Sequence, residues 1–539
     1  MKNWWRGAVT YQIYPRSFQD SNGDGIGDLP GITSRLGYVA DLGVDAIWLS
    51  PIFTSPMADM GYDVSDYKDI DPLFGTLADF DKLLAEAHRL GLKVIVDQVI
   101  SHSSDKHPWF LESRSSKDNA RSDWYVWAEA KPDGTPPTNW LSAFGGPAWE
   151  WDTTRRQYYL HNFLASQPDL NFHNRDVQDA LIDTMRFWLD RGVDGFRLDT
   201  VNYYFHDKML RDNPPHERND PRPEINPIEM QYHMFSKNRP ENPAFLERFR
   251  ALLDEFPERT SVGELGDSQR ATELMAQYTK GDKRLHSAYS FDMLSPNFNT
   301  AYFRSRIEGF FESAPDAWPG WSFSNHDVMR HVTRWQGYSD DQAALAKLSA
   351  AMLLSFEGSI YLYQGEELGL SETDIEYHEL TDPPGFKFWP EYKGRDGCRT
   401  PMVWTGGNDF AGFSTVKPWL PVKPPQASLN VAAQAGKAGS VLEFYRAMLA
   451  FRRSRPAMIE GRTRFLDTPE PVFAFQRGVG KGAVLAVFNL SKDGVNVTVA
   501  GATTGKGPTQ GAVLAGGKLE LGPNGFALLD CAGEVSVGY

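Results

Sequence analysis

Three stretches repeat one grammar: an amphipathic helix, a glycine, a short apolar strand, then polar residues. They predict an α/β fold, a parallel (β/α)8 barrel of the TIM type. LGVDAIWLSP follows a helical spacing of Leu36, Val39 and Leu42, and LGLKVIVDQV follows Phe80, Leu83, Leu84 and Ala87. The third, RGVDGFRLDT at 191–200, follows Val177, Leu181, Met185, Trp188 and Leu189, which share one helix face. Gly192 stands where such a helix needs a left-handed cap. In such barrels the active site lies at the carboxyl ends of the strands, where Asp97 and Asp199 fall.

The elements follow in order. Val9–Tyr14 is the first strand. Beyond it, Asp20, Asn22, Asp24 and Asp28 alternate with glycines, and with the Ile26 carbonyl they predict a structural divalent cation, Ca2+ or Mg2+. Ala46–Leu49 is strand two, and its loop carries Asp59, Tyr62, Asp63, Asp66 and Tyr67. Strand three, Val94–Val96, closes the first part of the barrel, 1–102. Periodicity then fails, and 103–170 reads as an inserted small domain rich in Trp, Pro, Gly and Asn. The barrel resumes over 171–455, with a lid-like insertion at about 203–242 and a loop-rich stretch at about 366–440. Strand five, Thr260–Val262, leads to Glu264; Trp321–Phe323 leads to His326 and Asp327; Ile360–Tyr363 leads to Glu366 and Glu367. An amphipathic helix, Val441–Arg453, ends the barrel. From 456 to 539, short strands at Pro471–Gln476, Ala483–Asn489 and Val495–Ala500 with Gly-rich turns predict a C-terminal antiparallel β domain.

Bulk properties narrow the function. A formal charge of −15 over 539 residues argues against nucleic acid or an anionic membrane as partner. No run of apolar residues is long enough to span a bilayer, and the N-terminus lacks a secretory h-region, so a cytoplasmic location is expected. Two cysteines cannot make a disulfide framework. The aromatic content, 13%, is rich, and aromatic faces are what the rings of a small-molecule oligosaccharide stack on, although a large core accounts for most of it.

Asp199, Glu264 and Asp327 end three different strands, with His102, Arg197 and His326 near them in sequence. Two carboxylates across a scissile bond are the minimum for glycoside hydrolysis: one attacks or activates water, the other protonates the leaving oxygen.

The motifs DQVISH at 97–102, QPDLN at 167–171, GFRLDT at 195–200, VGEL at 262–265 and SNHD at 324–327 give the chain a resemblance over nearly its whole length. It resembles the α-amylase family, glycoside hydrolase family 13, and within it the α-glucosidase and oligo-1,6-glucosidase group. The resemblance implies Asp199 as nucleophile, held ionised by Arg197, Glu264 as acid and then base, and Asp327 as a ligand of sugar hydroxyls. It implies that His102 and His326 bind the same glucose, that Tyr62 stacks on it, and that Asp59 with Arg395 closes the far wall. Phe144 and Phe163 would line the mouth. Thr200 after the nucleophile goes with α-1,4 bonds in the family, where Val goes with α-1,6. Ser101 stands where calcium-dependent amylases carry a ligand Asn, so that second metal site is not expected. The implied function is a retaining exo-α-glucosidase with transglucosylation. An oligo-1,6-glucosidase, sucrose isomerase or trehalose synthase of the same family stays open.

Overall fold

The computed structural model describes residues 3–216, 225–407 and 410–538. Eight strands form the barrel: β1 Val9–Ile13, β2 Ala46–Leu49, β3 Lys93–Gln98, β4 Gly195–Leu198, β5 Thr260–Leu265, β6 Ser287–Ser290, β7 Gly320–Trp321 and β8 Ser359–Tyr363. All pair in parallel with their neighbours in chain order, and β8 returns to β1. A parallel bridge between Ala288 and Pro319 closes the ring between β6 and β7.

Each strand is wrapped by a helix that sequence chemistry starts and stops. Asp28 caps Leu29–Leu42, accepting from the Gly31 amide, and Gly43 ends it at φ 97°. Thr76 and Asp79 form a capping box at the start of Leu77–Arg89. Asn174 caps Arg175–Arg191, and Gly192 ends it at φ 106°, the left-handed cap read from the sequence. Val177, Leu181, Met185, Trp188 and Leu189 are all buried on this helix.

Alternation along the strands sorts side chains between two cores. Ile47 and Leu49 face the helices in the main core, while Ala46, Trp48, Ile95, Val262, Tyr289 and Tyr361 form a second cluster inside the ring. Side chains two residues further on therefore rise towards the carboxyl end of the barrel from the same inner face. That rule lifts Asp97 above Ile95 and Glu264 above Val262.

The stretch after β3 contains a three-stranded antiparallel sheet, Trp127–Ala128, Gln157–Leu160 and Trp149–Asp152. After the barrel's last helix, Val441–Ser454, a sheet runs from Thr463 to Gly538. One of its faces adds Phe473, Phe475, Phe488 and Phe526 to the barrel's core, and the other buries Val472, Leu485, Val487 and Leu529 beneath its own strands. No described helix is long and apolar enough to cross a membrane.

Candidate active site

Strand register assembles the site before any loop is considered. Asp97 is paired with Arg197, Arg197 with Val262, and Glu264 with Tyr289. The buried Arg197 guanidinium thus meets carboxylates from its own strand and from both neighbours. Its Nη1 donates to Asp97 at 2.8 Å and to Asp199 at 2.6 Å, and its Nη2 pairs with Glu264 Oε1. Tyr289 accepts from Arg197 Nη2 at 3.1 Å and donates to Glu264 Oε1 at 2.9 Å.

One cation among three buried carboxylates leaves excess negative charge away from bulk solvent. Burial is the dominant influence and raises the carboxyl pKa values: Asp199 and Glu264 to about 7, Asp97 to about 6. Arg197 opposes the rise at all three. Arg197 grips Asp199, and its attraction is the smaller effect beside burial.

Thr200 joins the two strand ends. Its backbone amide donates to Glu264 Oε2 at 3.2 Å, and its hydroxyl donates to Asp199 Oδ2 at 3.2 Å. It does so from the left-handed region, φ 40°, where a β-branched residue is strained. Its hydroxyl also meets that of Ser101 at 3.0 Å.

A second charge web closes one end of the cavity. Arg395 donates to Asp59 at 2.7 Å, to Asp327 at 3.2 Å and to Asp382 at 2.6 Å. Arg399 adds a bond to Asp327 at 3.1 Å. With His326, Arg395 and Arg399 around it, the Asp327 carboxyl is held well below its usual range despite its burial. Asp59 is carried up to about 6 by burial, against the pull of Arg395. The Arg395 guanidinium lies 4.9 Å above the Phe144 ring, which meets Phe163 edge-on at 5.5 Å.

The cavity these walls enclose is about 990 Å³, with Asp59, Tyr62, His102, Phe144, Phe163, Asp199, Thr200, Glu264, Asp327 and Arg395 all in its lining. Two other expected residues stand behind that lining. Arg197 is completely buried beneath the carboxylates. His326 is also fully buried, stacked flat on Tyr62 with ring centroids 5.3 Å apart. Gln12 Nε2 donates to its Nδ1 at 2.8 Å, which leaves the proton on Nε2, between the Tyr62 hydroxyl and Asp327. His326 thus hydrogen-bonds Tyr62 and Asp327, both of which line the cavity. His102 lines the cavity, with its Nε2 2.9 Å from the Tyr62 carbonyl.

The Asp20–Asp28 loop is closed by its own amides. Asp20 accepts from Asn22, Gly23 and Gly25, Asp24 from Ile26, and Asp28 from Ser21 and Gly31. Among the described residues, no three carboxylate, imidazole or thiol groups converge as a metal site. A cation here would therefore rely on Asn22 and the Ile26 carbonyl beside the carboxylates.

Tyr289, Asp382 and Arg399 were not singled out by sequence reasoning. Tyr289 sits on β6, whose SAYS carries no apolar run and reads as a loop. Asp382 precedes two prolines in a loop-rich stretch, 13 residues from the arginine it holds. Arg399 stands in the RDGCRTP segment, where only Arg395 matched a family position.

A closed parallel barrel with buried carboxylates on a shared arginine, opening into a sugar-sized cavity, defines a glycoside-processing enzyme. Residues 12–461 match the family described as "Alpha amylase, catalytic domain". The chain is 57% identical over 497 residues to a probable alpha-glucosidase of Rhizobium meliloti, covering 91% of this chain and 90% of that one. It is 38% identical over 534 residues to an oligo-1,6-glucosidase of Heyndrickxia coagulans, covering 92% and 94%. Among solved structures, the alpha-glucosyl transfer enzyme XgtA aligns over 100% of both chains, with TM-score 0.93 and 51% identity. The trehalulose synthase MutB of Pseudomonas mesoacidophila MX-45 covers 98% of this chain and 99% of its own, with TM-score 0.87 and 33% identity. The chain belongs to the α-amylase family of glycoside hydrolases, and its enzyme class is α-glucosidase.

Proposed function

We propose that the chain is a retaining, exo-acting α-glucosidase. It would remove the terminal non-reducing glucose of short α-glucosides such as maltose and pass part of it to other hydroxyl acceptors. The observation carrying this reading is the joint clamping of Asp199 and Glu264 by Arg197 beside an end wall of Asp59, Arg395 and Asp327. Both carboxyls bond one guanidinium, which supports the short separation, roughly 5–5.5 Å, that retention requires. That charged end wall supports exo action, since a substrate chain continuing past the terminal glucose would have to displace it.

In the first step Asp199, ionised, attacks the anomeric carbon, while Glu264, protonated, gives its proton to the leaving oxygen. Burial raises both carboxyls to about 7, so near neutrality the pair holds about one proton, and the proposed first step uses the arrangement with Asp199 ionised against Arg197 and the proton on Glu264. Asp327, kept ionised by Arg395 and Arg399, accepts from the sugar's hydroxyls, and Tyr62 offers its ring face. In the second step Glu264, now ionised, takes a proton from water or from an acceptor alcohol. The likeness to XgtA supports transfer as a real outlet of the intermediate. Thr200 supports α-1,4 specificity through the family pattern. For the Asp20–Asp28 loop we propose a structural divalent cation, supported by the alternation of oxygen-bearing residues.

Proton NMR from the first minute tests the reading with maltose, isomaltose and sucrose separately. Initial α-glucose from maltose is expected. Initial β-glucose would overturn retention, fast isomaltose with idle maltose would overturn the linkage, and isomerised sucrose with little free glucose would move the chain to the isomerases.

A further inference from the structure

The segment after β4 is fastened to the end of β5 by buried polar groups that the reaction as described does not use. Lys237 is 5% exposed. Its Nζ donates to the Gly266 carbonyl at 2.6 Å and to the Tyr203 hydroxyl at 3.0 Å, and it stands 3.8 Å from Asp267 Oδ2. Gly266 lies two residues beyond Glu264. The same peptide is gripped from the end of β4: Asn202 donates to the Gly266 carbonyl at 3.2 Å and accepts from its amide at 3.1 Å. Asn238, in the left-handed region at φ 59°, completes the tie. Its Nδ2 donates to Asp267 at 2.6 Å, its Oδ1 accepts from Asn202 at 2.7 Å, and its amide donates to the Asn202 carbonyl at 2.8 Å.

Two separate segments, 202–203 and 237–238, thus converge on the stretch just past the acid/base residue. A buried ammonium is a costly way to fill space, and it is retained where its hydrogen bonds are charge-assisted and directional. Here the carbonyl it holds belongs to the strand end that aims Glu264. Lys237, Tyr203, Gly266 and Asp267 also line the cavity beside Glu264. The Lys237 ammonium lies 4.7 Å over the Tyr203 ring, which packs on Phe163 at 5.5 Å, so the same cation steadies the aromatic wall.

We propose that Lys237 is a positioning residue for the acid/base: by holding the Gly266 carbonyl from the inserted segment, it fixes the end of β5 and the direction in which Glu264 presents its carboxyl to the glycosidic oxygen. This rests on the reading of Glu264 as the acid. A loosened β5 end costs protonation of the leaving group and leaves attack by Asp199, on β4, largely intact. The loss must therefore depend on how much the leaving group needs a proton.

The test compares kcat/KM for maltose, whose leaving alkoxide needs the proton, with that for 4-nitrophenyl α-glucoside, whose phenolate leaves without it. Both are measured on one preparation of Lys237→Met, so any inactive fraction cancels in the ratio. The maltose value is expected to fall at least about tenfold further than the nitrophenyl value. Lys237→Arg, which keeps the cation and the donor, is expected to recover most of the difference. Equal losses on both substrates would reduce Lys237 to structural support and overturn the proposal. Glu264→Gln, run alongside, must show the same bias more strongly. If it does not, the acid assignment itself falls, an outcome distinct from a failure confined to the Lys237 variants.

Discussion

Glu264→Gln is expected to cut turnover sharply and to stabilise the protein, the second only at neutral and alkaline pH. Burial raises the Glu264 carboxyl from 4.5 to about 7. A carboxyl with a raised folded-state pKa favours folding fully below its unfolded value, and that contribution is lost as pH climbs through the folded value. At about 1.4 kcal/mol for each factor of ten in proton affinity, ionised Glu264 destabilises the fold by about 3 kcal/mol above pH 7. Glutamine removes that term. Its oxygen can still accept from Arg197 and Tyr289, but its amide nitrogen would face the Thr200 N–H that now bonds Glu264 Oε2 at 3.2 Å. That mismatch costs about 1 kcal/mol and leaves a net gain of about 2 kcal/mol. For a chain of 539 residues unfolding as one unit, this is a rise in Tm of about 2 °C. Thermal melts of both proteins at pH 5 and pH 8 check it, with maltose turnover expected to fall about 10²–10⁴-fold. A variant less stable at pH 8, or a gain equal at both pH values, would refute the claim that buried charge at Glu264 strains the site.

Other outcomes follow from the same geometry. With an activated glucoside, whose leaving group needs no acid, Glu264→Gln should remove the high-pH fall of kcat/KM that titration of Glu264 to about 7 imposes on maltose; persistence of that fall would place it elsewhere. Arg395→Ala strands Asp59 and Asp382, and loss of one partner in such a buried web costs roughly 3–5 kcal/mol; a lowered Tm and a raised KM for maltose are expected, measured by melts and initial rates. Thr200→Val removes the hydroxyl bonds to Asp199 and Ser101 and should raise the isomaltose-to-maltose rate ratio. If the Asp20–Asp28 loop holds a cation, EDTA should lower Tm, since saturation at 100 times Kd stabilises by about 2.7 kcal/mol; an unchanged melt with metal-free protein would count against it.

What was legible in the sequence was whatever repeats with a period. The helix ending at Gly192 and β2, β3, β4 and β5 were visible because burial on one helix face, or on both strand faces, forces an apolar pattern. β6 was not read as a strand, since Ser287 and Ser290 satisfy themselves by hydrogen bonds and Tyr289 points its hydroxyl into the site. Asp199 and Glu264 were legible because each stands at the end of a patterned strand, whereas Asp327 lies six residues past the two-residue β7 and was marked by its SNHD motif. Their partners Asp382 and Arg399 lie in an aperiodic stretch, and only tertiary folding brings them beside Asp327 and Arg395. His326 shows the remaining gap: its motif marks it as important, but only the packing of Gln12 and Tyr62 shows how its ring is held.

The single guanidinium of Arg197 carries one more consequence under the proposed chemistry. Before reaction its mobile negative partner is Asp199, while Glu264 is neutral. Once the glucosyl ester forms, Asp199 is neutral and Glu264 has become the anion, on the neighbouring nitrogen of the same guanidinium. The formal charge around Arg197 is therefore the same before and after the first step, and only its address changes. The enzyme needs no counterion to arrive or leave between glycosyl transfer into the site and out of it. A lysine, with one point charge and no second fixed nitrogen, could not hand the charge from one carboxylate to the other without moving.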